Sequence, residues 1–198
     1  MNIIFDFGRV VFTWNPLPLV ENHFNSPETI LQVNQAVFEH PDWLEIDRGA
    51  LTFEELAEHA AARTGEPYNR LLEMIRHAPE ILQPIPETID LLPRLKQNKH
   101  RLFALSNMGK LAMAYLDRTH PFLALFDGKV ISSEINLVKP DPAIFQYLIN
   151  RFKTDPADSV FIDDHGPNIH TAAALGFHTI QFTSPQNCEM ALINLGCL

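Results

Sequence analysis

The chain has 198 residues, 46% of them apolar and 20% charged, and a formal net charge of −9 at pH 7. This composition excludes a disordered chain, and the acidity argues against a nucleic-acid binder, which needs a basic face. No apolar run approaches the ~20 residues of a membrane span, and the length fits one domain, or one domain with a large insertion. Cys188 and Cys197 have neither zinc spacing nor a CxxC pattern, so they read as reduced thiols. The opening MNIIFDFGRVVF has no basic stretch and holds Asp6 inside its apolar run, unlike a secretory signal. The expected location is cytoplasmic.

In chain order, Ile3, Ile4 and Phe5 form a short continuous apolar run that ends at Asp6. Continuous rather than alternating apolarity predicts a strand buried on both faces, as in a parallel sheet. Residues 15–84 instead show helical periodicity. Helices are expected over 17–24 and 27–39, and Thr52 with Glu55 reads as a capping box opening a helix that ends before Gly65. Pro84 and Pro86 then mark a stiff hinge. A helix follows over 86–97, then a strand over 101–105 ending at Ser106 and Asn107. A strand over 129–131 ends at Ser132 and Ser133. A helix over 142–152 precedes a strand over 159–162 that ends at Asp163 and Asp164. A helix over 167–175 stops before Gly176, and a last strand covers 178–182. Alternating strands and helices imply an α/β fold with a Rossmann-like parallel sheet. The expected core is 1–14 with 85–198, interrupted after the first strand by a helical unit over 15–84.

Reactants of open α/β sheets gather at the carboxyl ends of the strands. Asp6, Ser106, Asn107, Asp163 and Asp164 are expected there, and Lys139 arrives from the loop after the strand over 129–131. Clustered carboxylates suit Mg²⁺, a hard cation that prefers oxygen ligands. A lysine and a hydroxyl beside it suit an anionic group.

Four motifs, in order and with fitting spacing, give the chain its resemblance to a family. They are IIFDFGRVVF at Asp6, LFALSN at Ser106, LVKPDPAIF at Lys139 and VFIDDHGPN at Asp163 and Asp164. The sequence resembles the haloacid dehalogenase-like (HAD) hydrolase superfamily over its whole length, in the phosphatase branch with a helical cap. The FDFGRVV form looks most like bacterial sugar-phosphate phosphatases of the α-D-glucose-1-phosphate phosphatase type. The segment DRGALTFEEL, residues 47–56, looks like a recurrent cap segment.

The resemblance implies that Asp6 attacks a phosphoryl group and forms an aspartyl-phosphate. It implies Mg²⁺ held by Asp6, the Gly8 carbonyl, Asp164 and, directly or through water, Asp163. Ser106 and the Asn107 amide would donate to phosphoryl oxygens, and Lys139 would neutralise charge. Arg48 in the cap would reach the far end of a small phosphorylated substrate, with a sugar phosphate favoured. One position departs from the pattern. Phosphatases of the family commonly carry an acid–base Asp two residues after the nucleophile, and here that position is Gly8. His165, beside the acidic pair, is the substitute considered. Trp14 is expected to pack at the hinge, and Asn168 to fix the start of a helix. Two other readings stay open: 2-haloacid dehalogenation, and a low-activity protein that binds a phosphorylated metabolite.

Overall fold

The computed structural model describes residues 1–198. Its centre is one five-stranded parallel sheet of β1 (Asn2–Phe5), β2 (Arg101–Ser106), β3 (Gly128–Ile131), β4 (Ser159–Asp163) and β5 (His178–Gln181). The spatial order is β3-β2-β1-β4-β5. The chain therefore moves outward from β1 through β2 to β3, then returns to β1's other edge. That reversal opens a crevice at the carboxyl ends of β1 and β4. Ile3, Ile4, Phe5, Phe103, Ala104, Val160, Phe161 and Ile162 are buried on both faces, which accounts for their unbroken apolar runs.

Between β1 and β2 lie five helices: α1 (Leu17–His23), α2 (Pro27–Val37), α3 (Pro41–Arg48), α4 (Phe53–Thr64) and α5 (Tyr68–Arg76). They share an apolar cluster built only from residues between Leu19 and Ala78. Trp14 touches both this cluster and the core under the sheet, as a hinge residue would. The capping box at Thr52 and Glu55 is present. Helices α3 and α5 have no counterpart in the sequence reading, which left their periodicity unassigned.

The expected helix over 86–97 is two helices, α6 (Pro86–Ile89) and α7 (Leu91–Gln97). Pro93 explains the break: it lacks an N–H, and its ring would meet the Ile89 carbonyl four residues back. The remaining helices are α8 (Lys110–Thr119), α9 (Ser132–Ile135), α10 (Pro142–Phe152), α11 (Gly166–Ala174) and α12 (Pro185–Asn194). No helix is long and apolar enough to cross a membrane.

The helical unit is docked on the core through the end of α3. The Ser132 hydroxyl donates to the Asp47 carbonyl and accepts from the Met108 N–H at 2.9 Å. Asn136 Nδ2 donates to the Arg48 carbonyl at 3.2 Å. Gly49 closes α3 at φ +79°, where a Cβ would stand 2.7 Å from the Ser133 carbonyl oxygen. Gly49→Ala is therefore expected to lower stability by at least ~1 kcal/mol from the left-handed backbone alone. Thermal unfolding checks it; an unchanged midpoint would mean that the docking gives way at no cost.

Candidate active site

The turn after β1 sets the geometry around Asp6. Phe7, Val10, Val11 and Phe12 are fully buried, so Gly8 and Arg9 alone face outward from it. The N–H groups of Val10, Val11 and Phe12 all donate to the Phe7 carbonyl. Asp6 continues β1 by donating its N–H to Ile162, and its Oδ1 accepts the Phe7 N–H at 2.7 Å. Burial pushes the Asp6 carboxyl up to about 6; Lys139 and the Ser106 hydroxyl pull against that rise, while Asp163 adds to it.

Lys139 is buried and bridges two carboxylates, 3.0 Å from Asp6 Oδ1 and 2.6 Å from Asp163 Oδ2. Burial works against its charge, but the two carboxylates outweigh burial and hold Lys139 above its ordinary value. Asn107 fixes the backbone there. Its Oδ1 accepts the Lys139 N–H at 2.8 Å, and its Nδ2 donates to the Lys139 carbonyl at 3.0 Å. The Asn107 side chain is thus a clamp on Lys139.

Asp163 and Asp164 do different work. Asp163 is wholly buried, and its oxygens accept from Lys139, from the His165 N–H at 2.8 Å and from Asn168 Nδ2 at 3.0 Å. It anchors the lysine and the start of α11. Asp164 is partly exposed and lines the cavity, 3.8 Å from Arg9. Burial and then Asp163 raise its carboxyl. Oxygens of Asp6, Asp163 and Asp164 lie within 4.8 Å of one another. Asn168 Oδ1, buried beside them, has no hydrogen-bond partner. An all-oxygen donor set with surplus negative charge fits a hard divalent cation.

A cavity of about 510 Å³ opens above these groups. Asp6, Gly8, Arg9, Asn107, Lys139, Asp164, His165 and Asn168 form its core side. Its apolar wall is Trp14, Trp43, Leu44, Leu82, Met108 and Ala112. Ser106 is buried beside Asp6 and does not line the cavity. Arg48 does not line it either, because its guanidinium turns to Glu45 at 3.2 Å. The neighbour of Arg48, Asp47, is the residue that does, and the sequence reading passed over it. Desolvation raises the Asp47 carboxyl to about 7; Gly109 and Lys139 oppose that rise and Asp6 adds to it. A signal was available. An acidic side chain in the last turn of a helix opposes the helix dipole, so Asp47 breaks a local rule.

A haloacid dehalogenase-like hydrolase family model matches residues 10–176. The sesquiterpene phosphatase astK of Aspergillus oryzae is 26% identical over 98% of this chain and 96% of its own. Other relatives are longer, the chain spanning 36% and 17% of two of them. An HAD-like family hydrolase of Porphyromonas gingivalis superposes with a TM-score of 0.77 at 25% identity, over 98% of this chain and 96% of that one. An HAD family enzyme of Bacteroides thetaiotaomicron, in complex with magnesium and inorganic phosphate, gives 0.75 at 23% identity, over 92% and 93%. With the family model matching most of its length, the chain belongs to the haloacid dehalogenase-like hydrolases.

Proposed function

We propose that the protein is a Mg²⁺-dependent phosphomonoesterase that works through an aspartyl-phosphate on Asp6. The observation that carries this reading is the convergence of Asp6, Lys139 and a three-carboxylate cluster under one cavity. Asp6, Asp164 and the Gly8 carbonyl would hold the ion, with Asp163 behind them as the partner of Lys139. When bound, Mg²⁺ supplies charge shielding between carboxylate and phosphate. An Asp6 oxygen attacks phosphorus, the ester P–O bond breaks, and its electron pair leaves on the alcohol oxygen. Water then attacks phosphorus and returns Asp6 as the carboxylate. Two displacements replace one difficult step. The Ser106 hydroxyl, hydrogen-bonded to Asp6, would orient the nucleophile, the Asn107 backbone N–H would donate to the phosphoryl oxygens, and Lys139 would neutralise charge on both partners.

The sequence reading favoured a sugar phosphate. The apolar wall instead supports an ester whose alcohol carries apolar surface, since two tryptophans and four aliphatic or thioether side chains offer a sugar few hydrogen-bond partners. The full-length similarity to a sesquiterpene phosphatase agrees with that. Free, buried Cys188 and Cys197 suit a reducing compartment such as the cytoplasm.

Phosphate release from a panel of sugar, alkyl and prenyl phosphates tests the proposal. Activity is expected to vanish in EDTA, to return with Mg²⁺, and to show higher kcat/KM for the apolar esters. Metal-independent chloride release from a 2-chloro acid would establish dehalogenation instead. Binding without turnover of any of them would leave a binding protein.

A further inference from the structure

We propose that Asp47, brought over the site by α3, is the general acid and base that Gly8 does not supply. The inference rests on the phosphomonoesterase reading. A phosphoryl group transferred to Asp6 releases an alcohol, and an alkoxide is a poor leaving group unless it takes a proton as it departs. The core side of the cavity offers little for that task. Gly8 has no side chain, Lys139 is committed to two carboxylates, and Asp164 belongs to the cluster suited to a cation. The helical unit supplies the missing group. Asp47 lines the cavity from the opposite side and stands outside the cluster of Asp6, Asp163 and Asp164, so it is not a fourth member of it.

Its position is held from both directions. The Asp47 carbonyl is bound by Ser132, whose hydroxyl also receives the Met108 N–H from the loop after β2. The next carbonyl, of Arg48, is bound by Asn136. Gly49 turns the chain away against Ser133 with no room for a Cβ. Side chains of the core thus fix the last turn of α3 where its carboxyl meets the cavity. Burial also raises the Asp47 carboxyl to about 7, so both its acid and its base form are present near neutral pH. Trp43, one helical turn earlier, lies on the same side and helps exclude water.

The step balances. The Asp47 carboxyl gives its proton to the ester oxygen as the P–O bond breaks, and the alcohol leaves. The Asp47 carboxylate then takes a proton from the water that attacks the aspartyl-phosphate. Asp6 departs as a carboxylate, and Asp47 is protonated again. The alternative is His165, which is exposed at the start of α11 and lines the same cavity.

The test compares kcat/KM for hexyl phosphate and p-nitrophenyl phosphate in the Mg²⁺-loaded enzyme. Nitrophenolate leaves without a proton, whereas hexanol needs one. Asp47→Asn is expected to lower the hexyl ester by ~10²–10⁴-fold and the nitrophenyl ester by less than ~10-fold. Asp47→Ala, a second truncation, is expected to split the two esters in the same way. Adding Gly8→Asp to Asp47→Asn is expected to restore the hexyl ester by at least ~10-fold. Position 8 can accept the side chain, because a Cβ there meets nothing within 4 Å and its φ lies outside the left-handed region. A purely structural role for Asp47 would not produce this rescue. Equal losses on both esters, or an unchanged hexyl rate in a folded Asp47→Asn protein, would overturn the assignment. So would the same selective loss in His165→Ala with none in Asp47→Asn. A wild-type enzyme that hydrolyses neither ester would overturn the phosphatase reading itself, and this inference with it.

Discussion

Asp6→Asn is expected to reduce phosphate release by at least ~10³-fold, because an amide is a poor nucleophile and a weaker ligand for a hard cation. The fold should survive the change. β1 is held by its neighbours β2 and β4, and Lys139 keeps Asp163 as its partner. Stability is expected to change in a direction that marks a functional group. The Asp6 carboxyl lies at about 6 in the folded chain against an ordinary value of 3.8, so the folded state binds more protons than the unfolded state between those two values. Native stability therefore falls as the pH rises through that window. The asparagine removes this loss. Urea unfolding of the cation-free proteins should show the variant equal to or more stable than the wild type at pH 7, and level with it near pH 3.5. A folded variant that kept a few per cent of its turnover would show that Asp6 is not the nucleophile.

Lys139→Ala is expected to damage both catalysis and the fold. Catalysis loses a preorganised positive charge aimed at the transferring group, on the order of 3–4 kcal/mol of transition-state stabilisation. The fold loses the partner of two buried carboxylates. Removing one member of a buried ionic group costs about 3–5 kcal/mol, because the charges left behind are uncompensated. The two losses separate by condition. Lowering the pH protonates the orphaned carboxylates and should narrow the stability gap to the wild type. Mg²⁺ should narrow it too, since a dication can take over part of the lysine's charge balance. Neither condition replaces the lysine's proposed contact with the transferring group, so single-turnover phosphoryl transfer should stay slow. Unchanged stability at pH 7 would contradict the 3.0 and 2.6 Å ion pairs. An unchanged rate would place Lys139 outside the chemistry.

These two residues could be found without a structure, and the reason is local. A strand buried on both faces reads as an unbroken apolar run, so the first polar residue after it marks the sheet's carboxyl edge. Asp6, Ser106 and the pair Asp163 and Asp164 were legible on that ground, as was the α/β order. Lys139 was legible through its motif, followed by Pro140 and a helix start. The single interruption at Pro93, which divides α6 from α7, was equally readable and was missed because the apolar spacing ran on across it.

Tertiary structure alone decided how those residues divide their work. The motif alone favours Asp164 over adjacent Asp163 as a direct ligand but does not say what Asp163 does instead. The end of β4 buries Asp163 against Lys139 and Asn168 and leaves Asp164 facing the cavity. Asp47 and Arg48 are adjacent as well. The sequence pointed to the arginine as a cap residue reaching the substrate's far end, yet the arginine turns to Glu45 and the aspartate lines the cavity. Which side of α3 faces the core is set by Ser132, Ser133 and Asn136, more than eighty residues further along the chain. Helical periodicity determines which residues share a face. It does not determine what that face meets, because that depends on contacts formed only when the helical unit docks on the sheet's edge.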